Sequence, residues 1–188
     1  MRIVISPLEG VRTVVARWPG AYLCGLLGPE MDHPALPLAE ERRLRLTFND
    51  ISGRQGLLRP PEAEHVGAII AFARGWAAAR REMEAEEARG APLAFHCWAG
   101  ISRSAAAGFI AAAALRPRGR EAELARSLRR AAPKVTPNRR MVALADELLG
   151  REGRMTEAIA AIGRGREAAW GDVVEWRLPE EEVDQPPM

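Results

Sequence analysis

Apolar positions along the chain fall into two rhythms. Short unbroken runs at 2–6, 21–27 and 93–96 are bounded by turn residues, and each is short enough for a buried strand. A further run at 43–48 alternates basic and apolar residues, as a strand with one exposed side does. Elsewhere the spacing is helical. Residues 8–18 carry apolar positions three and four apart and stop at Pro19 and Gly20. After Pro61, suited to a helix start, Val66, Ile69, Ile70, Phe72, Ala73 and Trp76 repeat on one face. The charged stretch 80–89 is expected to extend that helix into solvent until Gly90, Ala91 and Pro92 break it. Residues 104–115 read as a helix with little polar face, and therefore as a buried one. Three more helices are expected at 121–132, 141–149 and 155–162. The stretches 28–37 and 49–61 read as loops, and 165–188 as a tail whose acidic, proline-containing end is partly flexible.

No repeat and no linker interrupts this order, so one domain over 1–188 is expected. Strands alternating with helices predict an α/β fold with a central, mostly parallel sheet flanked by helices. In such folds ligands sit at the carboxyl ends of strands. That directs attention to the strand, tight loop and helix at 93–115.

Composition narrows the reading further. Apolar residues make up 47% of the chain, which sets it apart from disordered sequences. The net charge of +2 gives no case for nucleic acid or a membrane surface as partner. Two cysteines, Cys24 and Cys97, cannot build a disulfide framework, and no His or Cys cluster has metal-ligand spacing. The first residues lack the apolar core of a signal peptide, and no run is long enough to span a bilayer. A reducing cytoplasm is the expected location. Lys134 is the only lysine, and the abundance of Arg and Ala reads as the mark of a GC-rich bacterial genome.

The chemistry concentrates in His96, Cys97, Trp98, Ala99, Gly100, Ile101, Ser102, Arg103 and Ser104. Backbone N–H groups of a loop entering a helix can converge on an anion, aided by the partial positive charge of the helix N-terminus. Gly100 permits backbone angles or a close approach that a side chain would obstruct. Arg103 offers a rigid two-pronged donor for phosphate oxygens. A thiol at the start of this cradle feels the same field, which favours the nucleophilic thiolate.

This stretch resembles the signature of the protein-tyrosine phosphatase superfamily, and residues 99–104 are closest to its dual-specificity branch. The resemblance implies a phosphatase fold of that type. It also implies hydrolysis of a phosphomonoester through a phosphocysteine on Cys97, with inorganic phosphate as product. Arg103 would bind the phosphoryl oxygens, together with the loop residues Trp98, Ala99, Gly100, Ile101 and Ser102. Ser104 would assist loss of the thiolate in the second step, and His96 would orient the loop rather than act as base. Trp98 is open to two readings, pocket wall or packing against the scaffold. No cofactor and no metal is implied. Phosphotyrosine is the implied substrate, with phosphoserine and phosphothreonine as further candidates. A phosphorylated protein or a small phosphomonoester would be the partner. Inositol-lipid phosphatases that resemble this fold tend to carry lysines in the loop, and this loop has none.

The family's general acid is an aspartate after an upstream strand, which matches Asp50; its separation from Cys97 is longer than usual, and the charged stretch 80–89 can absorb the excess. Asp32 ranks below it, and Glu62 and Glu64 read as first-turn helix residues. Residues 130–138 resemble the stretch that follows the buried helix in dual-specificity phosphatases, extending the match over about 20–150. Within it Asn138 either helps place the loop or, the favoured reading, caps the next helix. Some family members hold a second cysteine that captures the nucleophile; for Cys24 a buried structural role is favoured. Two other classes stay open: a non-catalytic phosphate-binding module, and thiol chemistry of the sulfurtransferase or arsenate-reductase kind.

Overall fold

A computed structural model of the chain describes residues 1–53 and 55–179. The apolar runs pair as strands β1 (Arg2–Pro7), β2 (Tyr22–Leu27), β3 (Arg43–Thr47) and β4 (Leu93–Cys97), joined by β5 (Val174–Arg177) in the order β3-β2-β4-β1-β5. β1 to β4 run parallel, with Ile5 opposite Phe95 and Cys24 opposite Phe95 on the other side. β5 closes the β1 edge antiparallel.

Parallel strands buried on both faces need helices on both sides. Successive side chains alternate between two cores. Val4, Leu23 and Ala94 face α1 (Val11–Arg17) with Val14, Val15 and Trp18. Ile3, Ile5, Cys24, Leu26 and Phe95 face the larger core under α2 (Ala63–Glu82) and α4 (Arg103–Ala114). α4 runs along the sheet with only Ala114 outside the buried class. Its alanines let the helix lie close, and a Cβ on Gly108 would sit 3.4 Å from Ile3 and Ile5.

Outside α4 lie α5 (Glu121–Ala131), α6 (Arg139–Leu148) and α7 (Arg154–Ala161). Buried polar contacts lock them together. The Asp146 carboxylate accepts from the amides of Gly153 (2.6 Å) and Met155 (2.7 Å) at the start of α7. Arg151 pairs with Glu121 at 2.9 Å and donates to two carbonyls below α4. These contacts hold the C-terminal end of α6; Asn138 stands at its head.

Two expectations need correction. Of the stretch 80–89 only residues 80–82 continue α2. The chain turns at Met83, and Ala85–Gly90 forms a separate short helix, α3, tied back by Arg80 Nε donating to the Ala88 carbonyl (3.1 Å). The turn lets Ala88 bury where a straight helix would project into water.

The second is an omission: no strand is expected within 165–188. Residues 164–179 are built into the fold, and β5 lies in them. Its four residues include two charges, so no apolar run announces it. Glu175 pairs with Arg17 (2.6 Å) and Arg2 (3.6 Å), while Trp176 is buried and its Nε1 donates to Ser127 on α5 (3.0 Å). The acidic end at 180–188 lies outside the described residues. If β5 belongs to the cooperative fold, Trp176→Ala lowers the unfolding free energy by about 3–5 kcal/mol. A urea titration followed by circular dichroism reads this as a lower midpoint with an unchanged slope; an unchanged midpoint contradicts it.

Candidate active site

β4 ends at Cys97 beside Pro7, at the carboxyl edge shared by the parallel strands. The loop 98–102 then turns into α4, whose first residue is Arg103. Its backbone is held from outside. The Trp98 carbonyl accepts from Leu8 N (3.0 Å), that of Ala99 from Gly171 N (2.8 Å), that of Ile101 from Thr136 N (3.0 Å) and that of Ser102 from Asn138 N (3.4 Å). Among the described residues, the amides of 98–102 donate to no protein acceptor. A peptide whose C=O is fastened outward presents its N–H to the other side, which is the arrangement of an anion-binding nest. Gly100 makes the turn possible. Its φ is +72°, and a Cβ there would lie 2.6 Å from Pro7 N.

The side chains converge on the same loop. Cys97 is buried, with its Sγ 3.2 Å from Ser104 Oγ. Arg103 is buried too; its Nη1 donates to the Phe48 carbonyl at 2.7 Å, and its Nε has no hydrogen-bond partner. An unused buried guanidinium donor calls for an acceptor, and a phosphoryl oxygen is one.

Asp50 reaches the loop from the segment after β3. Its Oδ1 accepts from Ser102 Oγ (2.7 Å) and Asn138 Nδ2 (2.8 Å), and its Oδ2 lies 3.8 Å from Arg103 Nε. Asp32 makes none of these contacts and is exposed. Glu62 and Glu64 stand at the start of α2. Asn138 takes both roles weighed for it. Its Oδ1 caps α6 by accepting from Met141 N (3.0 Å), while its amide nitrogen holds Asp50.

His96 lies behind the loop, fully buried, its Nδ1 without a hydrogen-bond partner. Gly25 on β2 makes room for it: a Cβ there would fall 2.6 Å from His96 Nε2 and 2.7 Å from His33 Nδ1. The two rings meet edge to face at 6.4 Å. His33 carried no sequence signal, since it sits in a Pro-rich loop. Burial, then the positive influences of His33 and Arg103, push the His96 imidazole down to about 4.

Trp98 is 51% exposed and stands edge to face with Trp170 at 4.7 Å. Trp170 and Gly171 belong to the segment read from sequence as tail. Cys24 is buried and free, and burial raises its thiol pKa. It pairs in register with Phe95, two residues before Cys97. Strand spacing and rise put the two cysteine Cα atoms roughly 8 Å apart, beyond disulfide range.

No protein-family model matches the sequence, and no curated protein does. The backbone does match solved structures. Human DUSP28 aligns with a TM-score of 0.51 and 18% identity over 77% of this chain and 86% of that one. A mouse dual specificity phosphatase complexed with zinc tungstate gives 0.50 and 20%, over 84% and 86%. Tk-PTP in its active form gives 0.52 and 18%, over 80% and 93%. The chain has the fold of the dual-specificity and tyrosine phosphatases. At these identities the likeness is one of fold alone, so the phosphatase fold and the loop motif are separate observations that agree. In this phosphatase fold the motif occupies the carboxyl edge of the central strand, as the α/β rule requires.

The neutral His96 generates a pH test. Folded, it resists protonation until about 4, against an ordinary value of 6.5. Between these values the unfolded chain binds more protons, so the stability due to His96 is full above the upper value and is lost as pH falls towards the lower. The loss is on the order of 3 kcal/mol. Urea melts of wild type and His96→Gln from about pH 7 to about pH 4 should show a shallower fall in the variant; parallel curves refute the buried neutral imidazole.

Proposed function

We propose that the protein is a cysteine-dependent phosphomonoester hydrolase, acting on phosphotyrosine and on phosphoserine or phosphothreonine, in the cytoplasm. One observation carries this reading: the loop turns its carbonyls outward and its amides free, with Cys97, Arg103 and Asp50 gathered on it.

The loop amides and Arg103 bind the phosphoryl oxygens, and their donors strengthen as charge develops there. The Cys97 sulfur attacks phosphorus, forming an S–P bond while the P–O bond to the leaving group breaks. Asp50 gives that oxygen a proton from Oδ2, since its Oδ1 is engaged by Ser102 and Asn138. Water then attacks the phosphocysteine. Asp50 takes its proton, the S–P bond breaks, and the Ser104 hydroxyl, 3.2 Å away, donates a hydrogen bond to the departing thiolate. Inorganic phosphate leaves. Trp98, Ala99, Gly100, Ile101 and Ser102 form the cradle, and His96 holds it from behind.

Steady-state hydrolysis of para-nitrophenyl phosphate and phosphotyrosine in the presence of a chelator tests the scheme. Cys97→Ser lowers kcat by about 10⁴-fold or more. Asp50→Ala lowers kcat on phosphotyrosine by about 10²-fold or more. Ser104→Ala gives a burst of product followed by a slow phase, as phosphocysteine accumulates. Full activity in Cys97→Ser overturns the mechanism. An unchanged kcat in Asp50→Ala assigns the proton to another group.

A further inference from the structure

Two tryptophans stand in water beside the loop. Trp98 follows Cys97 directly and is 51% exposed; Trp170 is 41% exposed and meets it edge to face at 4.7 Å. Val173, 40% exposed, lies over Gly10, where a Cβ would fall 2.6 Å from its Cγ2. Leu8, just before that turn, donates its N–H to the Trp98 carbonyl (3.0 Å). The three apolar side chains thus form one shelf, and its backbone is fastened to the loop. Gly171 N donates to the Ala99 carbonyl (2.8 Å), and a Cβ on Gly171 would come 2.8 Å from the Gly100 carbonyl.

The sheet order places this shelf. Asp50 follows β3 at one edge of β3-β2-β4-β1-β5, whereas Leu8 and Gly10 follow β1 and Val173 precedes β5 towards the other edge. Cys97 ends β4 between them. The shelf therefore lies on the flank of the loop away from Asp50.

Apolar side chains clustered in water mark a surface that a partner covers. A second copy of the chain is a poor occupant, since the shelf exposes roughly 300 Å² and a stable interface takes about 800 Å² from each partner. An anionic bilayer is a poor one too, because the charged residues adjoining the shelf in the chain, Glu9 and Asp172, are acidic. The loop's own ligand suits it better, because Trp98 belongs to both. An extended peptide advances about 3.3 Å per residue, and the Trp98 Cα lies about 3.8 Å from that of Cys97. A side chain a few residues from a phosphorylated one reaches the rings, which accept aromatic and aliphatic groups.

We propose that Trp98, Trp170 and Val173 dock an aromatic or large aliphatic side chain of a phosphorylated polypeptide, within about three residues of the phosphorylated one. This rests on the phosphatase reading of the loop, and it favours a phosphoprotein substrate over a small phosphomonoester.

Phosphotyrosine peptides in which Phe replaces Ala at one position at a time, over about three residues on each side, locate the docked side chain. At one position Phe lowers KM by about tenfold with kcat unchanged, the mark of binding shared by ground and transition states. Trp170→Ala cuts that gain to about twofold or less, and Val173→Ser weakens it. Both variants hydrolyse para-nitrophenyl phosphate as wild type does, which separates a lost shelf from a distorted loop. If Trp170→Ala slows that reaction, Val173→Ser decides alone. Equal KM values across the set, or a gain that survives both variants, overturn the proposal. So does self-association in sedimentation velocity, or binding to phosphatidylserine vesicles, that Trp170→Ala abolishes. If wild type hydrolyses nothing, the phosphatase reading has failed, and calorimetry of the same peptides on wild type decides the shelf separately. Tighter binding of one Phe peptide, lost in Trp170→Ala, upholds the docking; equal binding refutes it.

Discussion

The amides of residues 99, 100, 102 and 103 can gather around one anion because the carbonyls of the same peptide groups, those of 98, 99, 101 and 102, are held elsewhere. Leu8, Thr136, Asn138 and Gly171, from three separate parts of the chain, each supply one donor to one of those carbonyls. In a planar trans peptide the C=O and the N–H point opposite ways, so a carbonyl fastened on the outside leaves its N–H facing the inside. Gly100 is the point at which no side chain could fit, with Pro7 pressed against its Cα. The placement of β1, of the start of α6 and of the segment after α7 is thereby tied to one purpose: keeping a short strand-to-helix connection turned the unusual way round.

Much of this was legible in the sequence, for definite reasons. Strands β1 to β4 are unbroken or alternating apolar runs, and the helices carry a strong period with Pro or Gly at their ends. The loop was legible because a cysteine, a glycine and an arginine at this spacing suit an anion-binding turn, and the fold gathers Cys97, Gly100 and Arg103 at the head of α4. Asp50 was legible as a carboxylate after a strand. What stayed hidden lacked a local signal. β5 is four residues long and owes its place to pairing with β1 and to the buried face of Trp176. His33 matters through contact with His96 across Gly25, and nothing in its own neighbourhood marks it. The break between α2 and α3 follows from burying Ala88, a tertiary gain that helical propensity does not report.

Asn138 shows how one residue can join two structural tasks. Its oxygen completes the head of α6, and its nitrogen fixes the carboxylate that faces the loop. The position of Asp50 therefore inherits the rigidity of a helix docked by the Asp146 and Glu121–Arg151 contacts. Behind the loop burial holds His96 uncharged near neutral pH, so the buried positive charge beside Cys97 is that of Arg103.

The bond from Gly171 to the Ala99 carbonyl has a consequence for how the site comes into being. Cys97, Arg103 and Asp50 are all translated well before residue 171, yet one of the four outside fastenings of the loop is contributed only then. On the ribosome the chemistry is written long before the cradle is clasped. A chain cut short ahead of this clasp keeps each reactive side chain and loses part of the frame that aims them. Completeness of synthesis is thus built into the site as a condition of its geometry.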